Sequence, residues 1–401
     1  MAEAGLILDR RTEMGAAPGL HAIFIGISDY AKLTHPEEDV ADEGMAALQK
    51  LRSPALSAFR MKEQFLLLDQ GNRLFKPLKT VRFLTAPMPE EIQNEPRLAT
   101  DHGDLPVFAT LRDAIRNWRR DIAVGQDEQG LFQFSGHGVR IMGNSAILLA
   151  ADFDPAGEVL LENAFDFQNI FFGMAPNSKY PDIGRTQFYF VDACRNKPDI
   201  LKEFEDLRPS QIFDVRSPDR DDRKAPVAYA ATNGGHAAAI AGQCTEFIDE
   251  MLWALDSGSV SCQQLPGNAK SGWPISFDTM KLCLNARNLN APKRFEFSGL
   301  GAETLFTFRR DPPEVDVQLS FVPDEADQKI GCAKLVNGDT NTECGALRGD
   351  ASRFWQVKVP SGLYRLSVEA GDDSFPKFQS MLEPINLGRP MPWTVTLGGG
   401  T

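Results

Sequence analysis

FQFSGHGVR (132–140) and FYFVDACRN (188–196) decide how this chain is read. Each opens with a short apolar run of the kind that forms a strand buried on both faces of a parallel sheet. Each ends in a tight polar turn carrying one reactive side chain, His137 in the first and Cys194 in the second. Neighbouring parallel strands would present the imidazole and the thiol at one edge of the sheet, where open α/β sheets build their sites.

The residue types suit acyl transfer. A thiol at its ordinary pKa is only a few per cent ionised near neutrality, so an imidazole that takes its proton makes a far better nucleophile for a peptide carbonyl. Gly138 has no Cβ to keep the backbone N–H beside the histidine away from a substrate oxygen. With the N–H of Cys194 it forms a candidate oxyanion hole for the tetrahedral intermediate.

The surrounding sequence alternates strand and helix. LHAIFIGISDY (20–30) has an apolar core at 22–27 and reads as the first strand, and KTVRFLTAP (79–87) as the second. Between them, 42–65 has helical spacing interrupted near Pro54. Thr110 to Ile122 reads as a helix with a Thr110…Asp113 cap and a stripe of Leu111, Ile115, Trp118 and Ile122. After His137, 145–155 reads as a strand leading away from the site and 162–174 as a helix before the cysteine strand. Residues 203–226, dense in Arg, Asp and Pro, read as a mobile surface loop. PVAYAATNGG (226–235) reads as a strand and glycine turn, 244–255 as a helix, and TLFTFRR (304–310) as a strand closing the sheet. The alternation is that of a parallel α/β layer fold.

Past the DPP break at 311–313 the texture changes. VDVQLSF (315–321), FWQVKVPSGLYRLSVEA (354–370) and PWTVTLGG (392–399) alternate apolar and polar residues between Pro/Gly turns, as half-buried antiparallel strands do. The expected organisation is a segment 1–19, an α/β domain over 20–310 and a small all-β, sandwich-like domain over 311–401. The phrase VPSGLYRLSV (359–368) resembles turns of β-sandwich modules appended to bacterial enzymes.

Composition narrows the function. The chain has 401 residues, 42% hydrophobic and 24% charged, which suits a globular protein of two domains. Its net charge of −13 argues against nucleic acid as the principal ligand. No apolar run approaches the ~18 residues of a membrane helix, and the N-terminus has no apolar stretch long enough for a secretory signal. A cytoplasmic protein is expected. The cysteines, 194, 244, 262, 283, 332 and 344, contain no CxxC pair and no zinc spacing, so no metal site is assigned. Cys332 and Cys344 read as reduced thiols. His236 and Cys244 lie on no pair of strand ends and read as structural.

SGHG (135–138) and DACRN (192–196) resemble the caspase-like cysteine proteases, especially their bacterial caspase-domain and metacaspase-related branch, over about residues 20–310. The resemblance implies a mostly parallel sheet sandwiched by helices. It divides that region into a large part (20–202), a linker loop (203–225) often cut during activation, and a small part (226–310). It implies an endopeptidase with Cys194 as nucleophile and His137 as base. A primary pocket for Arg or Lys needs carboxylates, because a desolvated cation without a partner is expensive. The metacaspase-like branch has an aspartate where Asp192 stands, and its preference for basic residues is carried over on that resemblance. Ser135 and Asp39 match its other pocket residues, although EDV replaces the more usual NDA around Asp39.

Arg208, Arg216, Arg220, Arg223 and Lys224 are candidate processing bonds in the linker, cut by the protein itself or by an upstream protease. The turn lacks the CHSG form of many metacaspases, no acidic cluster is assignable to calcium, and calcium dependence stays open. So does a third member of the dyad; in the resembling family a backbone carbonyl often positions the histidine. A catalytically silent scaffold binding partners in a signalling or defence complex is the alternative from another class. Another thiol hydrolase, a transpeptidase or deamidase, would share the dyad without the basic pocket.

Overall fold

The central sheet exists because five apolar runs can be buried only between helices. In the computed structural model, which describes residues 3–35, 48–101, 103–141, 146–194, 207–215, 221–230, 242–262, 272–288, 295–300, 305–348, 354–371 and 378–397, its strands are β1 (Leu6–Asp9), β2 (Leu20–Ile27), β3 (Leu78–Ala86), β4 (Gln129–Gly136), β5 (Thr186–Ala193), β6 (Ala225–Tyr229) and β7 (Glu296–Leu300). Their spatial order is β1-β3-β2-β4-β5-β6-β7. Strands β3, β2, β4, β5 and β6 run parallel, while β1 and β7 are antiparallel edges. The protein is thus mixed α/β, with a mostly parallel central sheet and several smaller sheets.

Helices cover both faces. Helix α1 (Pro54–Gln70) packs Phe65 on Phe24 of β2 and Phe59 on Phe83 of β3. On the other face, α2 (Phe108–Ile122) buries Leu111, Ile115, Trp118 and Ile122, with Trp118 against Phe132 of β4. The stripe is as expected, but the cap is not Thr110…Asp113. The helix starts earlier, at Phe108, whose N–H is received by the Asp152 carboxylate (2.9 Å). Likewise Pro54 does not interrupt a helix but occupies its first turn, where a missing N–H costs nothing. The next amides are capped from elsewhere, Ala55 by Ser28 Oγ (3.0 Å) and Leu56 by Glu91 Oε1 (2.9 Å).

The N-terminal segment adds an edge strand that its composition did not announce. Buried Arg82 of β3 holds it by donating to the Ala4 carbonyl (3.0 Å) and to Glu3, and it also pairs with Asp121 of α2 (2.8 Å). Residues 304–310 do not close the sheet. Leu305–Arg309 pairs instead with Trp273–Ser276 in a separate two-stranded sheet, and β7 takes the edge beside β6.

The described parts of the linker, 207–215 and 221–225, are held more firmly than their composition suggests. Ser210 N donates to the Ala164 carbonyl (2.9 Å), Ile212 and Phe213 are buried, and Arg119 stacks over the Phe213 ring at 3.7 Å. Arg223 is buried, not a loop residue open to a protease. Its guanidinium donates to the Phe171 carbonyl (2.9 Å) and Gln187 Oε1 (2.9 Å) and pairs with Asp221 (2.7 Å). Lys224 is exposed, and its backbone is bonded to Arg185 and Gln187. Arg208 is exposed; Arg216 and Arg220 lie outside the described residues.

The chain packs as two compact units, 1–252 with 290–304, and 253–289 with 305–401. The expected small part, 226–310, is therefore shared between them. In the second unit, Glu314–Val322, Leu347–Arg348, Trp355–Pro360 and Met391–Thr396 form one four-stranded sheet. Ile330–Asn337, Glu343–Gly345, Tyr364–Ala370 and Phe378–Leu382 form another. Alternate residues of both meet in one core that includes Val317, Leu319, Leu335, Val357 and Leu366. The expected all-antiparallel arrangement is corrected at one place, because Met391–Thr396 runs parallel to Glu314–Val322. Among the described residues no helix is long and apolar enough to cross a membrane.

Limited trypsin digestion of the native protein, read by mass spectrometry, is expected to spare the bond after Arg223 until the protein unfolds. Cleavage there as early as at exposed Arg208 would contradict this packing.

Candidate functional site

Strands β4 and β5 lie side by side in parallel register with Ser135 opposite Asp192 and Gly136 opposite Ala193. The register carries both turns to the same, C-terminal edge of the sheet. There they touch: a Cβ placed on Gly138 would stand 2.6 Å from the Cys194 carbonyl oxygen and 2.8 Å from the Ala193 Cβ. Gly138 is needed for this close approach of two backbones, a steric reason that adds to its expected role beside an oxyanion.

His137 is held at three points. Its N–H donates to the Tyr30 hydroxyl (2.7 Å), its carbonyl accepts from Leu149 N (3.1 Å), and its Nε2 lies 2.6 Å from the Gln49 carbonyl oxygen. A carbonyl can only accept, so the neutral ring carries its proton on Nε2 and leaves Nδ1 unprotonated. The Leu149 contact belongs to a three-stranded antiparallel sheet of Gly138–Val139, Ile147–Leu149 and Ala164–Asp166, so the run expected to lead away from the site folds back to brace it. Burial pushes the His137 pKa down to about 4, which keeps the imidazole neutral, with the Nδ1 lone pair unprotonated, across neutral pH. Tyr30 packs against the imidazole with ring centroids 4.9 Å apart and planes tilted by 50°, and charge on Cys194 pushes its phenol further above the ordinary value that burial already raises. One phenol thus borders both reactive residues.

Gln49 comes from a segment pinned by Lys50 N to the Thr34 carbonyl and Leu51 N to the Ser28 carbonyl, both 2.9 Å. Glu91 steadies the same region. Fully buried, it accepts the N–H groups of Met88 and Leu56, each at 2.9 Å, and burial raises its pKa to about 7. Tyr30, Gln49 and Glu91 were not found from sequence. Only Tyr30 left a signal, its place just past the end of the first strand.

Asp192 and Ser135 point to the α1 face of the sheet. Asp192 is 4% exposed, and its Oδ2 accepts hydroxyl bonds from Ser135 (3.0 Å) and Thr245 (2.5 Å). Among the described residues it has no ion-pair partner. Burial raises its pKa to about 6, against the lowering effect of the two hydroxyls. Asp39 lies outside the described residues, whereas the two turns that carry Ser135, His137, Gly138, Asp192 and Cys194 are placed. Cys194 is half-buried, and none of the six cysteines is in a disulfide. Among the described residues no three His, Cys, Asp or Glu side chains converge as metal ligands.

No protein-family model matches the chain, and no curated protein matches it. Among solved structures, the chain is similar to protein GSU0716 from Geobacter sulfurreducens at 13% identity and a TM-score of 0.40, covering 71% of this chain and 94% of that one. A likeness at that level supports no functional inference.

The sign of the Asp192 shift makes a stability prediction. Below the unfolded value of 3.8 both states hold the proton and burial is not penalised; above the folded value of about 6 both are ionised and the full penalty applies. Asp192→Asn keeps an acceptor for both hydroxyls and removes the charge. Thermal melts from pH 4 to 8 are expected to show the variant gaining on the wild type as pH rises through 6, by on the order of 2–3 kcal/mol at about 1.4 kcal/mol per pH unit. A gap that does not change with pH would contradict a buried, unpaired carboxylate.

Proposed function

We propose that the protein is a cysteine endopeptidase that cleaves after arginine or lysine. The observation that carries the reading is the meeting of the two turns at one sheet edge, with His137 fixed so that Nδ1 is its unprotonated nitrogen. The resemblance of SGHG and DACRN to caspase-like proteases of the metacaspase-related branch supports the same reading, as does a histidine held by a backbone carbonyl. On that reading residues 20–310 form the catalytic domain and 311–401 an accessory β domain.

In the first step Cys194 Sγ bonds to the scissile carbonyl carbon while His137 Nδ1 takes the thiol proton. The carbonyl π pair moves onto oxygen, which accepts from the backbone N–H groups of Gly138 and Cys194. The intermediate collapses, the C–N bond breaks, and the leaving amine takes the proton from Nδ1, so that a thioester remains. Water then attacks the thioester carbon, Nδ1 takes a proton from it, and the sulfur leaves to recover that proton. No redox partner or metal is required for these steps to balance.

Asp192 supports the choice of a basic residue. A buried carboxylate without a counter-ion is costly to a folded protein and complementary to a cation brought by a substrate. Cleavage in the linker at Arg208, Arg216, Arg220 or Lys224, by the protein itself or an upstream protease, is the activation route that goes with this reading. A cytoplasmic place in a bacterial stress or defence pathway is implied by the resemblance alone.

The test is release of fluorophore from short peptides ending in Arg, Lys, Asp or Leu, by wild type and by Cys194→Ala, before and after nicking with trypsin. Release only after Arg or Lys, reduced at least ~10³-fold by the substitution, is the expected result. Release after Asp or Leu would remove Asp192 from the pocket, and silence in both forms would favour a scaffold that binds partners.

A further inference from the structure

The two oxygens of the Asp192 carboxyl are in different situations. Oδ2 takes the hydroxyls of Ser135 and Thr245, whereas among the described residues nothing donates to Oδ1. Thr245 was not singled out by the sequence, yet its hydroxyl is oriented from several sides. It accepts from Ser57 Oγ (3.4 Å) and from Ile248 N (3.4 Å), and the Thr245 N–H in turn donates to Ser57 Oγ (2.9 Å). A hydroxyl has one proton. With its lone pairs engaged by Ser57 and Ile248, that proton is directed at Asp192. Thr245 is 5% exposed and Ser57 is fully buried, so water is a poor competitor for these bonds.

We propose that Thr245 is a specificity-determining residue: by taking the lone pair of Oδ2 that Ser135 leaves, it leaves the substrate one carboxylate oxygen, so a basic side chain is met at a single point. The inference rests on the proposed function. A guanidinium gains over an ammonium chiefly by forking onto both oxygens of a carboxylate. With Oδ2 occupied that gain is lost, and the enzyme accepts Lys about as well as Arg. Removing the Thr245 hydroxyl leaves Oδ2 with the Ser135 bond alone, and the lone pair so opened restores the fork.

The experiment compares kcat/KM for a matched pair of peptides ending in Arg and Lys. Wild type and Thr245→Ser are expected to treat the two alike within about threefold, and Thr245→Val to raise the Arg-to-Lys ratio about tenfold, the effect of one charge-assisted hydrogen bond. A ratio unchanged in Thr245→Val, while Asp192→Asn abolishes cleavage of both peptides, would overturn this role and leave the protease reading intact. A wild type that cleaves neither peptide overturns the protease reading itself. Should Thr245→Val not fold, competitive inhibition of the wild type by butylguanidine and pentylamine answers the same question. Constants within about threefold support the single-point contact, and a butylguanidine constant tighter by ~10-fold or more overturns it.

Discussion

Everything at the candidate site depends on the parallel pairing of β4 with β5. The pair sets Ser135 beside Asp192 and brings the backbone of Gly138 against that of Ala193 and Cys194. Strand residues alternate faces, so a slip of one position would exchange Phe132 and Phe134, which belong to the α2 side, for Gln133 and Ser135. Burial of the aromatic residues on one face therefore enforces the position of the polar ones on the other. The same apolar runs that build the core aim the chemistry.

The site is assembled from groups that are costly to bury. His137 is kept neutral and Asp192 and Glu91 are raised, in each case chiefly by burial. The pH consequences run in opposite directions. The histidine's contribution to stability is lost as pH falls from its unfolded value of 6.5 through about 4, whereas the penalties of Asp192 and Glu91 grow as pH rises through about 6 and about 7. A site of this kind is maintained against stability by the hydrogen bonds around it, from Tyr30, Gln49 and Leu149 to the histidine and from Ser135 and Thr245 to the aspartate.

What was legible in the sequence is what local chemistry determines. Strands buried on both faces appear as apolar runs, so β2, β4 and β5 could be located, and His137 and Cys194 stand at their ends. The alternation past residue 313 announced half-buried strands, since one face of each sheet meets solvent. What escaped were contacts between distant positions. Asp152 caps α2, Glu91 and Ser28 cap α1, Gln49 holds His137, and Thr245 reaches Asp192, and none of these pairs lies within a helical turn or a strand repeat. The edge strands β1 and β7 were missed because they are short, and composition alone did not show that Phe213 and Arg223 of the linker are anchored by aromatic and carbonyl partners.

The most direct test of the central claim is covalent labelling by a peptidyl acyloxymethyl ketone ending in arginine, with the modified residue identified by mass spectrometry. The account predicts one label, on Cys194, lost in His137→Ala and prevented by a competing arginine peptide. Labelling of another cysteine, or equal labelling by the aspartate-ending reagent, would contradict it.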